Sequence, residues 1–160
     1  MIDIHSHIIS GIDDGSKNTE MTIKMLEMAE ESGTTDIVAT PHFMRGRFEV
    51  TYKEVIDEVE NLKKLAKENF ININIYSGQE VYYSRNILEY YNQGMIGTIN
   101  NTRYMLIEFP MLEFNIEEAI NTLYELQIRG IVPIIAHPER YKQFIKNPSQ
   151  INLLIKEGML

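Results

Sequence analysis

Apolar positions along this chain follow two alternating rhythms. Short runs in which Ile, Val or Ala dominate are followed by stretches with apolar residues three and four apart, and Gly or Pro marks the joints. That alternation is the pattern of repeated β-α units. The first run, Met1 to His5, alternates Ile2 and Ile4 with polar neighbours and leads to a Gly- and Asp-rich loop from Ser10 to Ser16. Asn18 or Thr19 caps a predicted helix with Met21, Met25, Met28 and Ala29 on one face and Gly33 as its stop. Further strands are predicted at Asp36 to Thr40, Ile71 to Ser77, Tyr104 to Phe109 and Ile131 to Ala136, the last apolar enough to be buried on both faces.

The best-marked helix follows Thr51, which forms a capping box with Glu54 ahead of Val55, Val59, Leu62 and Ala66. A short helix is predicted around Asn86 to Asn92. Another, capped by Asn115 and Glu118, carries Ile116, Ala119, Ile120 and Leu123 and ends at Gly130. The last starts at Pro148 behind Asn147 and reaches about Glu157. The reading is α/β, one domain over residues 1–160.

Composition narrows the chemistry. The 160 residues carry a formal net charge of -8, which argues against a nucleic-acid binder, because phosphate backbones are gripped by clustered Lys and Arg. There is no cysteine, which excludes a disulfide framework, a thiolate zinc finger and a cysteine nucleophile. No apolar stretch approaches the roughly 18 residues of a membrane span, and no basic-then-apolar leader opens the chain. The expectation is a soluble cytoplasmic protein with no membrane insertion.

Read together, the strand ends say more than any one motif. Successive strands finish at His5-Ser-His7, His42, Glu80, Glu108 and His137, and all four histidines of the chain are among these residues. In a β/α barrel the C-terminal strand ends converge on one face. His5 and His7 are two apart, so on extended backbone they point the same way and can grip one ion. Glu80 or Glu108 can bridge two cations, and Glu108 interrupts an apolar run, where a buried carboxylate needs a cation or hydrogen bonds.

Nitrogen and oxygen donors without sulfur suit manganese, iron or zinc. Such ions acidify bound water, and a pair about 3.5–4 Å apart clamps a phosphoryl group. Arg140, in His137-Pro-Glu-Arg140, offers a planar fork for phosphate oxygens. Asp13 and Asp14 lie in a turn-like loop after the first histidines, where one could orient water or assist a leaving oxygen; Asp14 is the candidate taken. Arg45 and Arg47 flank Gly46 beyond His42, a positive patch that either receives an anionic substrate or serves solubility. The tyrosines and methionines read as core and groove material.

These residues resemble the PHP family, named for polymerase and histidinol phosphatase, and within it the manganese-dependent tyrosine phosphatases of Gram-positive capsule biosynthesis. The likeness lies in Met1-Ile-Asp-Ile-His-Ser-His7, Asp13-Asp-Gly15, Gly78-Gln-Glu80, Leu106-Ile-Glu-Phe109 and Ile135-Ala-His-Pro-Glu-Arg140. It implies a PHP-type distorted (β/α)7 barrel, incomplete here with about five β/α units. It also implies a centre of up to about three metal ions, Mn2+ foremost with Fe or Zn as alternatives, held by His5, His7, His42, Glu80, Glu108 and His137.

By the same resemblance Arg140 binds phosphate and Asp14 assists catalysis. The substrate would be the tyrosine-phosphorylated tail of a membrane-associated autokinase of capsule or exopolysaccharide export, attacked directly by metal-bound hydroxide. The family continues for roughly another third of its length with a late Asp-x-His motif, so five strands would leave open edges or an apolar wall unless another chain covers them. A homo-oligomer is therefore among the expectations. Two other readings stand beside this one. One is a small-molecule phosphatase acting on a substrate such as histidinol phosphate; the other is a catalytically impaired module for metal binding or kinase interaction.

Overall fold

A computed structural model describes all 160 residues. Its strands are β1 (Ile2–Ser6), β2 (Asp36–Ala39), β3 (His42–Phe43), β4 (Asn74–Ser77), β5 (Glu80–Tyr82), β6 (Tyr104–Glu108) and β7 (Val132–Ile135). The helices are α1 (Thr19–Glu31), α2 (Tyr52–Glu68), α3 (Ile87–Asn92), α4 (Ile116–Gln127), α5 (Lys142–Lys146) and α6 (Ser149–Lys156). Every strand pairing is parallel, in two sheets ordered β1-β2-β4 and β3-β5-β6-β7. The α/β expectation holds.

Two of these strands were not anticipated, β3 and β5, because each is the far half of a strand already expected. Ala39 pairs with Ser77 and His42 with Glu80, so one register runs through both sheets. Between them Gly78 donates to the Ala39 carbonyl at 2.9 Å and Glu80 to the Pro41 carbonyl at 3.0 Å. Pro41 has no N–H to offer, and the ladder lapses for a step there. Gly78 is required at the joint: a Cβ would lie 2.8 Å from Val38 Cγ1 and 3.0 Å from Thr40 Cγ2. Five extended segments therefore line up in chain order, with β1 and β7 outermost.

Helix faces were less legible. Thr51 makes the full capping box with Glu54, and Val55, Val59, Leu62 and Ala66 are buried as expected. In α1 the buried residues are instead Thr22 and Leu26, while Met21 and Met28 are exposed. The face is turned because the Thr22 hydroxyl donates to the Ile8 carbonyl at 2.8 Å and also bonds Ser16, tying the helix to the first loop. Polar anchoring outweighed the methionine stripe. Strand burial also differs: β6 is the strand enclosed on both faces, whereas Val132 and Ile134 of β7 stay partly open. β7 lies at the sheet edge, where Leu160 exchanges hydrogen bonds with Pro133 and Ile135. No helix is long and apolar enough to cross a membrane.

Candidate metal centre

Glu80, the first residue of β5, is 1% exposed and has imidazoles on all sides. Its Oε2 lies 3.1 Å from His5 Nε2, 3.0 Å from His7 Nε2 and 3.2 Å from His42 Nδ1, and its Oε1 lies 2.8 Å from His137 Nε2. Glu108, the last residue of β6, sits 3.6 Å from both His42 and His137. Four side chains separated by up to 132 residues thus meet on one carboxylate. Asp14 Oδ1 is 3.5 Å from His42 Nε2, but its side chain is 55% exposed. Arg140 and Asp14 line the same cavity of about 770 Å³, which is open to solvent. The eight residues singled out from the sequence are all brought to this one place.

Each element delivers its side chain to the centre by a local device. The β2–β3 and β4–β5 breaks present His42 and Glu80 as paired neighbours across the sheet. His137 takes φ +33°, a left-handed conformation that costs a non-Gly residue about 1–3 kcal/mol, and aims its ring back over the sheet. Gly15 is needed beside His7, since a Cβ there would fall 2.3 Å from His7 Cβ.

Asp13 and Tyr141 were underrated by sequence reasoning. Asp13 Oδ2 accepts from His7 Nδ1 at 2.7 Å and from the His42 backbone N–H at 3.0 Å, while Oδ1 accepts from Gly15 at 2.9 Å. With Nδ1 held toward Asp13, it is Nε2 that His7 turns to the centre, the nitrogen it would offer to a cation there. The Asp13-Asp14-Gly15 run held that signal, but nothing in the sequence said which aspartate faced inward. The Tyr141 hydroxyl accepts from the Phe109 N–H at 3.0 Å and donates to the Ala136 carbonyl at 2.8 Å, joining the ends of β6 and β7.

Electrostatics separate the two glutamates. Burial pushes Glu80 upward, but hydrogen bonds from His5 and His7 and the charges of His5 and His42 outweigh it, holding the carboxyl well below its usual range. Burial and the Glu80 charge push Glu108 up to about 7, against the pull of Arg140. Burial depresses His7, yet Asp13 and Glu80 raise it to about 10. Burial leaves His42 lowered overall.

The donor set fits divalent cations. His5, His7 and Glu80 form one convergent group, His7, Asp14 and His42 a second, and His42, Glu80 and Glu108 a third. His42 Nδ1 and His137 Nδ1 are buried without a hydrogen-bond partner, although Glu80 Oε2 is 3.2 Å from the former. A buried imidazole nitrogen set against a carboxylate oxygen without hydrogen-bond geometry, as His42 Nδ1 is, suits a shared cation. Shared ligands across three groups suit more than one.

Fold and site together define a parallel α/β protein with a histidine–carboxylate centre at the C-terminal side of its sheet. The chain belongs to the capsular polysaccharide synthesis CpsB/CapC family, whose model matches residues 1–160. It is 40% identical over 161 residues to CapC of Staphylococcus aureus, covering 100% of this chain and 62% of that protein. It is 35% identical over 158 residues to the tyrosine-protein phosphatase CpsB of Streptococcus pneumoniae, covering 99% and 65%. A solved structure from a study of YwqE of Bacillus subtilis and CpsB of S. pneumoniae, described as unique metal-dependent tyrosine phosphatases, matches with a TM-score of 0.94 and 33% identity. That match covers 99% of this chain and 64% of the solved one. The chain thus spans less than two thirds of the length of these relatives.

Proposed function

We propose that residues 1–160 form a single phosphatase domain, with His5, His7, His42, Glu80, Glu108 and His137 as metal ligands, that hydrolyses phosphotyrosine on a protein. The observation that carries this is the meeting of four imidazoles and two buried glutamates in a cavity that Arg140 also lines. Divalent ions held there supply Lewis acidity toward phosphoryl oxygens and a water-derived nucleophile at neutral pH. Manganese suits the nitrogen and oxygen donors, with iron or zinc next.

The chain's own residues do the rest. Arg140 receives the phosphoryl oxygens through its planar fork. Asp13 keeps His7 in the tautomer that offers Nε2 to the centre. Glu80, ionised throughout the neutral range, offsets cationic charge between the imidazoles. Asp14, half-exposed at the mouth, is placed to exchange a proton with the leaving phenolic oxygen. The partner this implies is the tyrosine-phosphorylated tail of an autokinase of capsule or exopolysaccharide synthesis, met in the cytoplasm, with a second copy of the chain as a further candidate partner.

The test is turnover of a phosphotyrosyl peptide against histidinol phosphate by manganese-loaded protein, wild type and Arg140→Ala. Preferential peptide hydrolysis lost in the variant supports the reading. Preference for histidinol phosphate replaces it with a small-molecule phosphatase. Metal uptake and kinase-tail binding without turnover replaces it with a non-catalytic module.

A further inference from the structure

Two arginines flank Gly46, and they are in different electrostatic situations. The segment after β3 closes on itself: Met44 and Phe48 exchange backbone hydrogen bonds of 2.7 and 2.8 Å, and Gly46 takes φ +81° at the tip. Glu49 clasps this turn, accepting from the Gly46 N–H at 2.6 Å and from Arg45 at 2.5 Å. Arg45 is thereby neutralised. Arg47 instead lines the metal-centre cavity, with its guanidinium carbon 4.8 Å from the Phe48 ring centroid. The one carboxylate oxygen within 4.0 Å of it is Asp14 Oδ2, at 3.9 Å.

Phe48 is itself nearly parallel to His42, at 10° with centroids 5.6 Å apart. His42, Phe48 and Arg47 are therefore linked in series from the centre outward. Contact with an aromatic ring engages the face of a guanidinium and leaves its in-plane N–H donors free for oxygen. The Asp14 pair is exposed on both sides and loose, so an arriving anion can displace it.

We propose that Arg47 is an anion-binding residue of this centre, gripping negatively charged oxygens of the phosphorylated substrate at the cavity mouth while Phe48 positions it. This rests on the phosphomonoester reading above. The oxygens belong either to the phosphoryl group or to acidic side chains beside the phosphotyrosine.

Calorimetric titration of the manganese-loaded chain separates these. The ligands are inorganic phosphate and peptides carrying the non-hydrolysable phosphonomethyl analogue of phosphotyrosine with Glu or Ala neighbours; the proteins are wild type, Arg47→Ala, Phe48→Leu and Arg45→Ala, each with metal content measured. Arg47→Ala is expected to weaken binding about fivefold to tenfold, with the deficit shrinking at high salt, and Phe48→Leu to weaken it less. Arg45→Ala stays within about twofold, as for an exposed charge already paired. A deficit with inorganic phosphate identifies the phosphoryl group as the source; one confined to Glu-flanked peptide identifies the neighbours.

Unchanged affinity of Arg47→Ala for every ligand at equal metal content overturns the proposal. So does an equal loss in Arg45→Ala, the mark of a diffuse positive patch. Wild-type protein that binds neither phosphate nor peptide overturns the phosphomonoester reading itself and this inference with it.

Discussion

The two sheets hold their share of the centre by different means. The first, β1, β2 and β4, rests on a core of 12 buried residues that are all aliphatic, among them Leu26, Ile37 and Val59. The second, β3, β5, β6 and β7, rests on 16, including Phe43, Phe109, Tyr141 and Phe144. The aliphatic half supplies His5 and His7, with His7 oriented by a carboxylate, Asp13. The aromatic half supplies His42, Glu80 and Glu108 and leads into His137, whose Nδ1 has no partner and whose ring sits 5.5 Å from that of Tyr141. One half therefore positions an imidazole, His7, by a hydrogen bond to a loop carboxylate. The other does so by ring packing and backbone conformation.

The largest effect expected is from Glu80→Ala, which removes the carboxylate that meets all four imidazole rings, from both halves. Metal content measured after purification should fall to background and turnover with it; retention of a full complement would show that each half binds metal independently. Next come Leu26→Ala and Leu123→Ala, one in each core and both fully buried. Each should cost about 3 kcal/mol in denaturant unfolding. Because the chain runs from β2 into β3 and from β4 into β5, each crossing from one sheet to the other in a single register, both variants should still unfold in one transition. Two separated transitions would mark the halves as independent units.

Tyr141→Phe strips the Phe109 N–H and the Ala136 carbonyl of a buried partner, and should destabilise by about 2 kcal/mol. Its test of the comparison is metal affinity, which should drop through His137 while sites built on His5 and His7 keep theirs. Asp13→Asn acts on the opposite half and should weaken metal binding about tenfold, as loss of a carboxylate behind a ligating imidazole does.

The smallest effect concerns pH in the metal-free protein. The folded His7 pKa, about 10, lies above the 6.5 of the unfolded chain, so its stabilisation is complete below about pH 6.5 and is lost as pH rises through about 10. Stability should decline by something on the order of 1 kcal/mol across that window, a modest figure because solvent screens the partly exposed ring. Metal-loaded protein, with His7 already neutral, should lack this slope.

Strand and helix order was readable because each element carries a local signature, as in the capping box at Thr51 and the alternation at Ile2 and Ile4. What escaped was whatever depended on a distant neighbour. The α1 face turned to Thr22 because Ile8 and Ser16 bind its hydroxyl. The short β3 and β5 exist through pairing with each other and with β6.

The same division runs through the site. Residue types and spacing were enough to nominate four histidines, two glutamates, Arg140 and Asp14, because ligand chemistry is a property of the side chain and its place at a strand end. Roles within the set waited for tertiary structure. Asp13 and Asp14 are adjacent and chemically identical, yet one is buried against His7 and the other faces solvent. Arg45 and Arg47 are alike in sequence, yet Glu49 takes one and leaves the other to the cavity. Burial, charge state and partner are set by what packs nearby in space, and a sequence states only what is nearby along the chain.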